Sequence, residues 1–235
     1  MAGLDTYPED WDRALAVVAH PDDMEYGAAS AVARWTRQGK QVAYLLVTRG
    51  EAGIATTPPD EVVKLRAVEQ RRSCDVVGVE ILEYLDHPDG LVVEGIELRR
   101  ELAAAIRRHR PDVLVSINHR DSWGGPSWNH ADHRAVGRSL LDAARDAANR
   151  WLFRDVGEPW SGTRFVAFNG SPQPTHAVDV TDTIDDGIAS LACHELYLDA
   201  LDDHPDADTF LRGNAAEVGA RIGCDYATAF EIVSV

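Results

Sequence analysis

The stretch Ala14-Leu15-Ala16-Val17-Val18-Ala19-His20-Pro21-Asp22-Asp23-Met24-Glu25-Tyr26-Gly27 joins a short apolar run to a histidine and two adjacent carboxylates. An apolar run of this length, closed by a proline-containing turn, predicts a buried strand with polar residues at its carboxyl end. Val42–Val47 is a second run of the same kind, and Val79–Leu85 and Val113–Ile117 are a third and a fourth. Helical stretches lie between them. Ala28–Gln38 puts Ala28, Ala31, Val32 and Trp35 on one face. Asp60–Cys74 follows Pro58-Pro59, with Asp60 as its N-cap, and Val77-Gly78 closes it. Ile96–Arg108 stops before Arg110-Pro111. Strands alternating with such helices predict βαβ units, hence an α/β, Rossmann-like fold with a mostly parallel sheet and helices on both faces.

The pattern continues with a helix from about Arg134 to Asn149, a weaker strand at Arg164–Phe168 and an alternating one at Ala177–Val180. Two helical stretches, Ile184–Leu201 and Asp208–Ile222, and a last strand at Phe230–Val235 complete it. No repeat, low-complexity tract or linker interrupts the chain, so residues 1–235 read as a single domain. A chain that is 45% hydrophobic can build its core without disulfides, and the three scattered cysteines, Cys74, Cys193 and Cys224, fit a reducing cytoplasm. The acidic opening MAGLDTYPEDWDR lacks the apolar segment of a secretory signal, and no apolar run reaches the length of a membrane span. A formal charge of -16 and a pI near 4.8 argue against nucleic acid or an anionic membrane as partner. The expectation is a cytoplasmic protein acting on a small molecule. Its oligomeric state is not readable.

In open α/β sheets ligands bind outside the carboxyl ends of the strands, where strand order reverses. His20 stands at such an end. After the fourth strand comes a long loop, Asn118–Asn129, and then His130-Ala131-Asp132-His133 opens another helix. The two segments face each other across the crevice if the fold is as read. Imidazole and carboxylate groups suit zinc, and three protein ligands leave a fourth position for water. Neither the Gly-x-Gly-x-x-Gly turn of a dinucleotide-binding protein nor a Walker phosphate loop is present.

Ala-His-Pro-Asp-Asp near the start, paired with His-x-Asp-His after the fourth strand, resembles the LmbE/PIG-L family of zinc-dependent N-deacetylases. The resemblance implies that His20, Asp23 and His133 hold one Zn2+, with Fe2+ or Co2+ as alternatives. It implies Asp22 as general base, His130 as the group that stabilises the oxyanion and assists the leaving amine, and Asp132 as the residue that orients an active-site histidine. The family often has Glu where this chain has Met24, and other members vary there. Looser likenesses suggest substrate contacts at Glu51, Arg66 and Asp89. The substrate so implied is an N-acylated, chiefly N-acetylated, amino sugar of the N-acetylglucosamine type. The chemistry suits these residue types: a bound zinc polarises the carbonyl and acidifies its water, and a neighbouring carboxylate takes the proton.

His-Pro-Asp recurs at His87 and His204, so the triplet alone carries little. Only the first follows an apolar strand and carries a second carboxylate. His87-Pro88-Asp89-Gly90 is foremost a turn, and His204-Pro205-Asp206 reads as the end of one helix and the cap of the next. His194-Glu195 lacks the second histidine of a metalloprotease motif and stays outside the candidate site. Arg66 can equally be a surface ion-pairing residue, and Trp123 and Trp128 either wall a ligand site or cover the core. Two rival functions are an amidase of thiol S-conjugates using the same metal apparatus, and a non-catalytic metal- or sugar-binding module. The second is opposed by the presence of both Asp22 and His130.

Overall fold

The computed structural model describes residues 3–201 and 206–235. Its elements are β1 (Asp5–Thr6), β2 (Arg13–Val18), α1 (Ala29–Arg37), β3 (Gln41–Leu46), α2 (Pro59–Val76), β4 (Ile81–Tyr84), α3 (Ile96–His109), β5 (Val113–Ile117), β6 (Ser122–Gly124), β7 (Ser127–Trp128), α4 (Ala131–Ala148), β8 (Phe165–Asn169), β9 (His176–Asp179), α5 (Ile184–Ala192), α6 (Glu195–Asp199), α7 (Ala207–Ile222) and β10 (Ala227–Ser234).

An eight-stranded sheet has the order β1-β9-β10-β8-β5-β2-β3-β4. Its centre, from β8 to β4, is parallel, and β10 runs antiparallel between β8 and β9. The alternation of side chains divides β2 between two cores. Ala14, Ala16 and Val18 join Trp35, Tyr7 and Phe230 on one face, while Leu15, Val17 and Ala19 join Leu102, Ile106, Leu140 and Phe168 on the other. Both faces are covered, as an apolar run without polar interruption requires. The α/β, mostly parallel architecture expected from sequence is the one observed.

The chain leaves β2 toward β3 and β4 on one side and returns to β5 on the other, so the order reverses between β2 and β5. The two polar motifs sit there, at the carboxyl ends of those two strands. Several local expectations need correction. Residues 21–28 form consecutive turns, and α1 starts at Ala29, one residue after the expected Ala28. Pro58, not Asp60, occupies the cap position of α2. The loop after β5 contains the small β6–β7 hairpin. The stretch Ile184–Leu201 is two helices broken around His194. The last strand starts at Ala227, and β1 had no sequence signature. His204 lies outside the described residues, but Asp206 does cap α7, accepting the Thr209 N–H at 2.9 Å.

Candidate active site

Asp23 Oδ2 accepts the backbone N–H groups of Ala19 and His20 at 3.0 and 2.9 Å, folding the turn back on the end of β2. Its other oxygen, Oδ1, lies 3.0 Å from His133 Nε2 and 3.7 Å from His20 Nδ1, and the two imidazole nitrogens stand 3.2 Å apart. Tetrahedral ligands about 2.0–2.1 Å from one ion stand roughly 3.3–3.4 Å from each other. The triangle of His20, Asp23 and His133 therefore has the edge lengths of three zinc ligands. Although burial works against it, the Asp23 carboxyl is held well below the ordinary carboxylate range by His133 and His20. His20, His130 and His133 also bring one nitrogen each within 4.8 Å of one another, a wider set than the triangle with Asp23.

The outward nitrogens of both histidines are held by oxygen. His20 Nε2 lies 3.0 Å from Asp89 Oδ1 and 3.2 Å from Asp132 Oδ2, and His133 Nδ1 lies 3.0 Å from Asn129 Oδ1. Such partners fix the ring and direct the opposite nitrogen toward a metal. Asp132 is itself fixed, accepting the Gly90 N–H at 2.7 Å and the Val92 N–H at 3.1 Å. It faces His20 Nε2.

Asp22 sits beside the triangle with φ at 89°, a left-handed conformation costly for a residue with a Cβ. Gln70 holds that backbone: its Oε1 accepts the Asp22 N–H at 3.1 Å, and its Nε2 donates to Glu25 Oε1 at 2.9 Å. Ser73 Oγ donates to the same Glu25 oxygen at 2.6 Å, so Glu25 points into the core beside a buried Met24. Arg66 Nη2 donates to Asp22 Oδ2 and to Pro21 O, both at 2.6 Å, and Nη1 donates to Gly50 O at 3.2 Å. Burial pushes the Asp22 carboxyl up to about 7, against the pull of Arg66. That is near the value at which a carboxylate works best as a general base at neutral pH.

His130 caps α4. Its Nδ1 accepts the Asp132 N–H at 3.2 Å, so the neutral ring carries its proton on Nε2. Burial, then the charges of His20 and His133, lower its pKa.

The three residues with looser likenesses are placed differently from one another. Arg66 lines the cavity, but its guanidinium is 2% exposed and given over to Asp22, Pro21 and Gly50, under the Tyr197 ring at 4.0 Å. Gly50 has φ at 65°, and a Cβ there would meet Arg66 Nη1 at 2.3 Å. Asp89 lines the cavity while bonding His20 and accepting the Ala52 N–H at 2.8 Å. Glu51 stands outside the lining and props the same loop, accepting the Asp89 N–H at 2.8 Å. His87 turns away onto Glu101. The cavity itself, about 750 Å³, also gathers Tyr26, Trp123, Asn169, Tyr197, Phe210 and Asn214.

Curated relatives and solved structures bear on this arrangement. The chain is 29% identical over 194 residues to the diacetylchitobiose deacetylase of Thermococcus kodakarensis, covering 79% of this chain and 70% of that protein. It is 28% identical to the 1D-myo-inositol 2-acetamido-2-deoxy-alpha-D-glucopyranoside deacetylase of Thermomonospora curvata, over 66% of this chain and 59% of the other. The chain thus spans about six-tenths of that second relative's length. The N,N′-diacetylchitobiose deacetylase of Pyrococcus horikoshii superposes with a TM-score of 0.84 at 24% identity, covering 96% of this chain and 85% of that one. A 4-carboxy-2-hydroxymuconate hydratase of Pseudomonas putida shares the fold at TM-score 0.76 and 19% identity, over 94% and 96% of the two chains. The profile of the family PIG-L, GlcNAc-PI de-N-acetylase, matches residues 15–144, which include both motifs of the triangle; with more than half its length matched, the chain belongs to that family.

Proposed function

We propose that this protein is a zinc-dependent N-deacetylase that hydrolyses the N-acetyl group of an amino sugar. The triangle of His20, Asp23 and His133, with the carboxyl of Asp22 beside it, carries this reading. The names of the two curated relatives, both deacetylases of N-acetylated sugars, support the substrate class. His20, Asp23 and His133 would hold the ion. A zinc ion held by such residues polarises a carbonyl and lowers the pKa of its water to about 7.

The chain's own residues supply the rest. Asp22, oriented through Oδ2 by Arg66, takes the proton that the attacking water gives up. His130 offers its Nε2–H to the carbonyl oxygen as charge develops there. The proton that the departing amine needs comes from the Asp22 carboxyl, which thereby returns to its starting state. Acetate and the free amino sugar leave the cavity with the proton count balanced.

The test measures metal content and amine release together. Wild type is expected to hold about one zinc per chain and to release amine from N-acetylated amino sugars. Asp22→Ala is expected to keep its metal and lose turnover by at least about a hundredfold. A wild type that takes up no divalent metal, or an Asp22→Ala protein as active as wild type, overturns the proposal.

A further inference from the structure

A second cavity, of about 420 Å³, adjoins the catalytic one: Tyr26, Trp123, Asn169, Gly170 and Asn214 line both. The shared wall is firm. Asn169 Nδ2 donates to Ala229 O at 3.1 Å, and its Oδ1 fills the space that a Cβ on Gly27 would take. Trp123 lies against Gly170, where a Cβ would come within 2.8 Å of its ring, and its centroid is 5.7 Å from that of His133. Beyond this wall α7 turns Leu211, Ala215, Val218 and Arg221 to the second cavity, at the three-and-four spacing of one helix face, and Ile184 of α5 joins them. Leu211, Ala215 and Ile184 are buried, so the floor is apolar.

Arg221 is the only lysine or arginine among the described lining residues of this cavity, and Glu217 is the only carboxylate. The arginine is half-buried, its Nε is closed off from solvent, and Nε has no hydrogen-bond partner among the described residues. Glu217, one turn earlier, is exposed and forms no ion pair with it. A basic residue in the last turn complements the negative end of its helix, but solvent-facing groups do that equally well, and it gives no reason to bury Nε unpaired. A buried donor left without an acceptor is costly, and more so on a charged group. A carboxylate laid against the guanidinium removes that cost through parallel N–H···O bonds. In a chain with 39 acidic and 23 basic residues, an arginine left unpaired in a cavity is placed to receive an anion from outside. At physiological salt the net charge of -16 is screened beyond about 8 Å, so the local cation governs.

We propose that this second cavity binds a small carboxylate with an apolar body, the carboxylate on Arg221 and the body on Leu211, Val218 and Ile184. The test is calorimetric titration of the zinc-loaded protein with 4-phenylbutanoate and with its amide. Wild type is expected to bind the carboxylate about tenfold or more tightly than the amide, and Arg221→Gln to lose that preference. Glu217→Gln is expected to strengthen it by removing a repelling charge. Equal binding of acid and amide by wild type overturns the proposal. So does a preference that survives in Arg221→Gln, since that anion sits on the metal or elsewhere. A second arm asks whether the carboxylate belongs to the substrate, and it rests on the deacetylase reading above. Amine release is compared for two N-acetylglucosaminides whose aglycones end in a carboxylate or in its amide. A higher kcat/KM for the carboxylate, abolished by Arg221→Gln, makes the cavity the seat of the substrate's far end. Equal kcat/KM, with 4-phenylbutanoate still bound through Arg221, assigns it to a separate small molecule. Release of no amine from either glycoside would remove the reaction and leave the calorimetric result standing.

Discussion

Gln70 shows how much of a reactive residue's geometry is decided by something that never touches substrate. The left-handed backbone of Asp22 has a fixed acceptor for its N–H in Gln70, whose amide donates to Glu25, itself held by Ser73. Gln70→Leu leaves the Asp22 N–H without an acceptor, at a cost of about 1–3 kcal/mol for the unsatisfied group, and leaves Glu25 with Ser73 as its donor. The expected result is a kcat lowered about tenfold or more with zinc stoichiometry unchanged, since no metal ligand loses a contact. Steady-state kinetics with metal analysis checks it, and a variant with lost metal but normal kcat would show that Gln70 serves the ligands instead. At this scale the sequence was informative where chemistry depends on neighbours in the chain. His20, Asp22 and Asp23 stand at a strand end, and His130 and His133 open a helix. Arg66 and Asp89 were harder, because whether an arginine faces a sugar or an aspartate is settled by a partner 44 positions away. A readable signal for Gln70 did exist. Arg66, Glu69, Gln70 and Ser73 recur on α2 at the three-and-four spacing where a core-facing stripe should be apolar, and all four are buried.

The same stripe explains the largest error among the elements. The apolar periodicity of Ile184–Leu201 supports one continuous helix, yet the chain breaks around His194 because side chains from other elements compete for it. Glu69 Oε1 accepts the Leu196 N–H at 2.6 Å and so starts α6 afresh, while His194 is drawn fully into the core, its Nε2 3.8 Å from Glu25 Oε2. Capping by a residue 127 positions distant leaves no local trace. The parallel strands and the helices α1 to α4 were legible because their periodicity and stops are local, whereas β1 is a two-residue edge strand defined only by its pairing with β9. The position of His194 has a consequence for acid stability. Burial, with Arg66 adding, holds its pKa at about 3, so the folded protein keeps it neutral. The unfolded chain binds a proton there at a pKa near 6.5, and therefore carries more protons between about pH 6.5 and 3. The stability that goes with neutral His194 is present above that window and is lost as pH falls through it. His194→Leu is expected to flatten the decline of Tm between pH 7 and 4 relative to wild type, as calorimetry would record. Parallel Tm-versus-pH curves for the two proteins would show that His194 is not the group responsible.

For the molecule as a whole, the sheet order places a crevice between β2 and β5 but does not choose a reaction, and a hydratase uses the same frame. In this chain the turn after β2 supplies His20 and Asp23, and α4, after β5, supplies His133. An ion at the triangle therefore ties together the two halves of the sheet at the point where strand order reverses. Binding to the folded state alone stabilises it by RT ln(1 + [L]/Kd), about 4 kcal/mol at a thousandfold excess over Kd. For a domain of this size each kcal/mol moves Tm by roughly 2–4 °C. Chelation of the zinc-loaded protein is accordingly expected to lower Tm by about 8–16 °C, and returning zinc to restore it. His133→Ala removes one corner of the triangle and should leave a protein whose Tm is nearly indifferent to chelator. The comparison separates a bridging ion from an incidental one. A metal held elsewhere on this acidic surface would still be stripped from His133→Ala with the same loss of Tm, whereas an ion joining β2 to α4 cannot stabilise a chain that has lost one of the two attachments.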